Sequence, residues 1–480
     1  MSITIHEDHI TLEQLETIRK LLYIVPKKGF NNFIPNKALY FKLKKQMEEN
    51  PTDPIFLYNI NQNTNLITLP YFFARSLLNL PIPNYHPKFP FSFTKQLFES
   101  QVDIVHDAWK QLQTYGTTTL NLHTGAGKTV DAAFLASITG NITLVIVTSG
   151  TVGVQWSKTF QDFTNANIWY VELNKPPPNE IAQVIICQDT RFKLLPPNYL
   201  KYIGTVIYDE AHTLCTPERI KCILGVQPQY VIAATATLNR QDGLHSIIEA
   251  TCGTHKIVKI SKKPFIVYKY NTGINIEIKL NVMGTPDWSK VTLDQAMSPH
   301  RNWLIHHIIS QHMNDKVLVL TWRAKDHAIP LAKWLKESGH NVDYMAGTKK
   351  SYSDSHVLVG TIKKIGTGFD EKTACENFNG QRINILILAG STRQVELLEQ
   401  IAGRAFRSDF PIIYHLVDNC SISKNHWKIS VPWYKSRNGQ IIEKNSPYVD
   451  TQQINIGNVK HDADSIMDEQ LKRYRENPPI

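Results

Sequence analysis

Cysteine is scarce in this chain: six residues in 480, scattered, with no C-x-x-C pair. That excludes a disulfide framework and a zinc ribbon, and a reducing compartment, cytoplasmic or nuclear, is expected. Long hydrophobic runs are missing too. No uninterrupted apolar stretch approaches the roughly 18 residues that a membrane helix needs, so no membrane partner is expected. The opening residues, MSITIHEDHI, are acidic and lack an apolar h-region, which argues against a secretory signal. Low-complexity tracts and long internal repeats are also lacking. What is present is ordinary for a globular protein: 42% hydrophobic and 20% charged residues. At roughly 100–200 residues per domain, the length predicts two to four domains.

Charge is distributed unevenly. The formal net charge is +10. Residues 91–258 hold 12 basic and 13 acidic side chains, whereas residues 259–420 hold 21 and 15. A basic excess of this kind fits a polyanionic partner.

Short β-branched runs recur at helix-length intervals: Thr118–Leu122, Thr143–Thr148, Val184–Cys187, Thr205–Tyr208 and Tyr230–Ala234. A second series follows at Val317–Thr321, Val357–Gly360, Ile383–Leu388 and Ile412–Val417. Runs such as LVIV, VLVL and ILIL do not alternate, so they read as strands buried on both faces of a parallel sheet. Strand–helix alternation in two series predicts two α/β, doubly wound domains, at 91–258 and 301–420. Residues 259–300 read as a connector with strand-like alternation at 274–280, INIEIKL. Residues 1–90 read as an accessory region with a helix near Leu12–Tyr23. Residues 421–480 read as a hairpin turning at Asn438-Gly439, then a charged tail.

The sharpest motif is Leu122-His123-Thr124-Gly125-Ala126-Gly127-Lys128-Thr129, between a predicted strand and a predicted helix. Gly125 and Gly127 let backbone N–H groups approach a phosphate with no Cβ in the way. Lys128 is placed to reach the β/γ-phosphates, and the Thr129 hydroxyl to ligate Mg²⁺. Downstream, Tyr208-Asp209-Glu210-Ala211-His212 ends a buried strand. Asp209 reads as the magnesium aspartate and Glu210 as the residue that orients or deprotonates the attacking water.

Together these segments resemble the helicases and translocases of superfamily 2. In that family the first P-loop glycine is commonly replaced, as Leu122 replaces it here. The family's Asp-Glu-x-His box is matched by Asp209–His212, and its Thr/Ser-Ala-Thr motif by Thr235-Ala236-Thr237. The stretch TATLNRQDG and the pair Gln155-Trp156 are similar to the TFIIH translocase subunit. Gly366-Thr367-Gly368-Phe369-Asp370 resembles motif five. Gln400-Ile401-Ala402-Gly403-Arg404-Ala405-Phe406-Arg407 matches the Q-x-x-G-R-x-x-R of motif six. Gln101 sits where the family has an adenine-contacting glutamine. There is no P-T-R-E-L-A stretch, unlike DEAD-box RNA helicases, and Ile401 stands where spliceosomal DEAH enzymes have Arg. The likeness is greatest to the transcript-release helicases of large DNA viruses, the phage recombination helicase and the TFIIH subunit.

The resemblance covers about residues 91–440. It implies two tandem RecA-like parallel-sheet lobes of a P-loop NTPase, behind a small N-terminal accessory region. It implies ATP and Mg²⁺ as cofactors and DNA or RNA as the track, held mainly by its backbone. A transcription or repair complex is the implied partner; a virus factory or virion is the implied location if the source is viral. Gly368 and Asp370 would join the P-loop residues and Gln101 around the nucleotide. Gln400, Arg404 and Arg407 would act in catalysis with Lys128, Asp209 and Glu210. His212, Thr235 and Thr237 would couple hydrolysis to movement. Arg404 and Arg407, three apart after the Val395–Ile401 stretch, are expected on one helical face as arginine fingers. Two alternatives keep the same residues: a double-strand translocase subunit that does not separate strands, and a non-hydrolysing scaffold.

Weaker constellations are given ordinary structural readings. His300, His306, His307 and His312 lack metal-ligand spacing. Trp427, Trp433 and Tyr434 alternate with Lys428, Lys435 and Arg437, and packing is preferred to base stacking. Lys27-Lys28 and Lys42-Lys44-Lys45 read as solvated faces.

Overall fold

The structure, a computed structural model, describes residues 1–25, 54–123, 125–214, 216, 219–235, 244–259, 263–281, 286–366, 369 and 371–447. The chain divides into two compact units, Met1–Ile260 and Ser261–Ile480. The lysine clusters Lys27-Lys28 and Lys42-Lys44-Lys45 lie outside the described residues.

Unit 1 opens with strands β1 (Ser2–His6), β2 (Tyr23–Ile24), β3 (Ile55–Phe56), β4 (Asn59–Asn61) and β5 (Leu66–Pro70). Helix α1 (Leu12–Leu21) starts at Thr11, whose hydroxyl accepts from the Gln14 N–H while the Gln14 side chain accepts from the Thr11 N–H. This reciprocal cap satisfies two otherwise orphaned donors. The region does not stand apart. Met1, Ile18, Leu57 and Tyr71 share one apolar cluster with Ile142, Leu144 and Val206 of the main sheet. Helix α2 (Tyr71–Leu78) adds a tie through Tyr71, whose hydroxyl donates to the Gln229 carbonyl at 2.6 Å.

The main sheet comprises β6 (Thr117–Leu122), β7 (Ile142–Val147), β8 (Ile168–Tyr170), β9 (Val184–Gln188), β10 (Ile203–Asp209), β11 (Tyr230–Thr235) and β12 (Ile257–Lys259). Their order is β12-β6-β11-β10-β7-β9-β8, with every pairing parallel. Helices α3 (Glu99–Tyr115), α4 (Lys128–Thr139) and α5 (Gly150–Phe163) contribute to the apolar cluster of one face, and the N-terminal region to that of the other. Every residue of β7 is buried, which is why its sequence does not alternate. The order has a consequence for function. Strands β6 and β7 are consecutive in sequence, yet β11 and β10 lie between them. The segments that follow β6, β11 and β10 are therefore brought side by side at the carboxyl edge, where open α/β sheets bind ligands.

Unit 2 repeats the plan with β13 (Phe265–Asn271), β14 (Val317–Thr321), β15 (Val342–Met345), β16 (Val357–Thr361), β17 (Ile385–Leu388), β18 (Ile412–Val417) and β19 (Gly439–Asn445). Their order is β15-β16-β14-β17-β18-β13-β19, again all parallel. Two expectations are corrected here. The stretch 259–300 is no mere connector: Phe265–Asn271 is an interior strand, followed by helix α6 (Trp288–Met297). The alternating Ile274, Ile276 and Ile278 form no strand; they pack in a small satellite cluster with Val291 and Cys420. The expected C-terminal hairpin is instead helix α7 (Ser421–Ser436) and then β19, which runs parallel to β13. Asn438 does occupy a turn, with φ of 65°, but that turn joins a helix to a strand. Trp433 and Tyr434 are buried on α7, with the Tyr434 hydroxyl 2.9 Å from His415 Nδ1, so they serve the core.

A buried polar knot ties the ends of these elements. Arg301 and Asp418 are both fully buried and paired. Arg301 also donates to the Ala389 carbonyl at 2.7 Å, while Asp418 accepts from Thr272 and Gln295 at 2.8 and 2.7 Å. Its partners offset the desolvation of each charge.

Candidate nucleotide site

The loop after β6 has the backbone its glycines predict. Gly125 and Gly127 take φ of 89° and 93°, in the left-handed region that side chains with a Cβ resist. Thr124 lies outside the described residues. The His123 N–H donates to the Lys259 carbonyl, which fastens the loop to neighbouring β12. Lys128 starts α4 and turns back across the loop, its Nζ donating to the Leu122 carbonyl at 2.8 Å. Ala126 and Thr129 are half-buried, the latter in the helix's first turn.

Gln101 is buried against this loop rather than solvated. Its Oε1 accepts from the Phe98 N–H at 3.0 Å, and its Nε2 donates to Asp131 Oδ1 at 2.6 Å. A Cβ added at Gly127 would fall 2.4 Å from Gln101 Nε2, so Gly127 is required by both conformation and close approach. Burial pushes the Asp131 carboxyl up to about 7, against the pull of the Gln101 hydrogen bond, Lys259 and Lys128.

The acidic box lies across β11. Asp209 is the last residue of β10 and pairs in register with Ala234, one residue before Thr235 ends β11. Burial, and then the adjacent Glu210, hold the Asp209 carboxyl above the usual carboxylate range. Its Oδ2 accepts from the Trp156 indole N–H at 3.0 Å. Glu210 has a left-handed φ of 49°, a strained conformation for a non-glycine residue. His212 Nδ1 lies 2.9 Å from Thr235 Oγ1 and 3.4 Å from Glu210 Oε2, so it touches both the acidic box and the next strand end. Thr237 lies outside the described residues.

In unit 2, Gly368 and Asp370 lie outside the described residues, while Phe369 is described. Gln400 is buried on helix α8 (Val395–Ala405). The two arginines depart from the expected shared helical face. Arg404 occupies the last turn and is buried, donating to the Phe369 carbonyl at 2.6 Å and the Gly366 carbonyl at 3.2 Å. It thereby ties motif six to the motif-five backbone. Arg407 lies beyond the helix end and is partly exposed, 3.9 Å from the fully buried carboxylate of Glu371. Glu371 also meets Arg382 at 3.2 Å and accepts from the Ile383 N–H at 3.0 Å.

Two neighbours of the phosphate loop and acidic box in unit 1 carried no assigned role in the sequence, Asp131 and Trp156, and neither did Glu371, beside Arg407 in unit 2. Trp156 had a signal, the Gln155-Trp156 pair. Asp131 had a fainter one, a lone acid at the head of the apolar helix VDAAFLA. Among the histidines of residues 300–312, His307 stacks on Trp303, and His312 meets Asp315 and the Tyr414 hydroxyl. The oxygen-rich set of Thr129, Asp209 and Glu210, with Glu210 Oε2 buried and approached by His212 Nδ1 at 3.4 Å without a well-formed hydrogen bond, fits a hard divalent cation.

A family model described as "Type III restriction enzyme, res subunit" matches residues 94–240. A protein named as a helicase, 161L of Invertebrate iridescent virus 6, is 28% identical over 426 residues, covering 83% of this chain and 93% of its own. Another so named, 055L of Frog virus 3 (isolate Goorha), is 28% identical over 341 residues, covering 68% and 75%. Among solved structures, a variant of S. cerevisiae Dbp5 bound to RNA and ADP BeF3 matches with a TM-score of 0.51. That match has 14% identity and covers 77% of this chain and 93% of the other, a likeness of fold.

Proposed function

We propose, for a chain that is a superfamily 2 helicase related to viral helicases, a motor that hydrolyses ATP in unit 1 to advance along a nucleic-acid backbone. The observation that carries this reading is the shared carboxyl edge of β6, β11 and β10. There the Gly125–Lys128 loop and the Asp209–Glu210 pair flank Thr235, and His212 touches both Glu210 and Thr235. Lys128 exchanges the Leu122 carbonyl for phosphate oxygens, and the loop N–H groups freed by Gly125 and Gly127 cradle them. Thr129 and Asp209 would hold Mg²⁺, which supplies charge neutralisation at the phosphates when bound. Glu210 orients the attacking water and takes up its proton. His212 carries the state of Glu210 to Thr235, which is its part in coupling. Gln101 and Asp131 brace Gly127 from behind and set the loop's path. In unit 2, Gln400 and Arg407 are assigned to the hydrolytic step, Arg407 offering the planar guanidinium that an arginine finger requires.

The track is a polynucleotide recognised through its phosphates, either DNA or RNA, and the biological setting is viral transcription, in transcript release, or DNA repair and recombination. A second reading is favoured by the match of residues 94–240 to the restriction-enzyme model: a double-strand translocase that does not separate strands. Steady-state ATPase with single-stranded and duplex DNA and RNA tests the first statement. Polynucleotide should stimulate turnover, and its binding should weaken as salt rises. Lys128→Ala should abolish turnover, and Glu210→Gln should retain nucleotide while slowing cleavage. Wild-type ATPase in Lys128→Ala would overturn the assignment. Strand displacement then separates helicase from translocase.

A further inference from the structure

Trp156 lies in the second turn of α5, almost fully buried, with its indole N–H 3.0 Å from Asp209 Oδ2. Packing alone does not explain an indole here. Phe160, one turn on, fills the same apolar layer without a polar atom. A buried indole N–H needs an acceptor, and this one takes a carboxylate oxygen at the tip of β10. Ser149 anchors the start of the same helix, accepting from the Val152 N–H at 3.3 Å. The carboxylate is thus fixed by a donor from outside both the phosphate loop and the acidic box. A carboxylate free to rotate would spend part of its time in geometries that cannot receive a cation.

We propose that Trp156 is a positioning residue for Asp209, its indole N–H locking the carboxylate in the orientation that receives Mg²⁺. This rests on reading Asp209 as the magnesium aspartate. The dependence falls on the metal–nucleotide complex and not on the nucleotide alone, because the phosphate loop makes no contact through this bond. Removing a hydrogen-bond partner of a metal-binding group typically lowers metal affinity roughly 10- to 100-fold.

The test uses the full chain and a fluorescent ATP analogue, titrated with Mg²⁺ or in EDTA. In Trp156→Phe the Mg²⁺ concentration for half-maximal nucleotide binding should rise at least tenfold, with binding in EDTA unchanged. Benzothienylalanine at position 156 keeps the ring shape, puts a non-donating sulfur in place of the N–H, and should give the same shift if the Phe variant fails to fold. An unchanged midpoint in the folded variants overturns the proposal. So does an equal loss of binding with and without Mg²⁺, which would mark a packing role. If Mg²⁺ fails to strengthen nucleotide binding in the wild-type chain, the reading of Asp209 itself falls.

Discussion

Replacing Arg404 should damage folding before it damages chemistry, and replacing Arg407 should do the reverse. Arg404 spends its guanidinium on two buried carbonyls, those of Phe369 and Gly366. Lysine carries the charge but has no fork, and one ammonium cannot meet both acceptors in the same geometry. Losing one charge-assisted bond and leaving its carbonyl unsatisfied costs about 2 kcal/mol. Arg404→Met abandons both carbonyls and should cost about 4 kcal/mol on the same scale. Unit 2 spans residues 261–480. For a domain of that size each kcal/mol moves the midpoint by about 2–4 °C, so Arg404→Lys should melt about 4–8 °C lower. Arg407 differs. It stands 3.9 Å from Glu371, which keeps Arg382 and the Ile383 N–H when Arg407 is removed. Arg407→Lys should therefore change stability by under about 1 kcal/mol. Its turnover should fall about 1,000-fold or more, the loss expected of an arginine finger. Calorimetric melting and steady-state ATPase on the same three variants decide the matter. Arg404→Lys and Arg404→Met melting within 1 °C of wild type, yet without ATPase activity, would refute the structural assignment.

Two further outcomes follow from particular residues. Gly127→Ala would have to hold φ at 93° and displace Gln101, whose Nε2 would lie 2.4 Å from the new methyl; nucleotide affinity measured by equilibrium titration should fall severely, whereas unimpaired binding would show that the loop reshapes freely. His306, His327, His415 and His426 are held neutral chiefly by burial, lowered from 6.5 to about 4, about 3, about 3 and about 4. Neighbouring basic groups oppose protonation further: His340 and His307 beside His306, Arg301 beside His327, His426 and Arg301 beside His415, and Arg393 beside His426. The unfolded chain takes up these protons near pH 6.5 and the folded chain does not. Stability present above pH 6.5 is thus lost as pH falls toward 4, at up to about 1.4 kcal/mol per pH unit for each histidine. Melting temperature followed from pH 7.5 to 5 should drop steadily, and a flat profile would count against neutral burial.

What the sequence determined by itself is whatever depends on neighbours in the chain. Non-alternating runs mark strands covered on both faces, and the interiors of both sheets were legible for that reason. Gly125, Gly127 and Lys128 announce a phosphate loop because the requirement for positive φ and close approach is written in residue types a few positions apart. Asp209, Glu210 and His212 were legible as a set on the same ground. Tertiary structure decided what depends on partners far along the chain. Strand β13 is unevenly buried, and β19 follows a good turn signal. Only parallel pairing across some 170 residues reveals them as neighbours in one sheet. The spacing of Arg404 and Arg407 suggested one face and one role, but α8 ends between them, and the carbonyls and carboxylate they meet lie 35 or more residues upstream. The Trp156–Asp209 bond joins residues 53 apart, and the Gln101–Asp131 bond residues 30 apart. Local patterns fix backbone conformation and the chemistry on offer. Which donor meets which acceptor is set by the order of strands in the sheet, which satisfies long-range packing that no window of sequence contains.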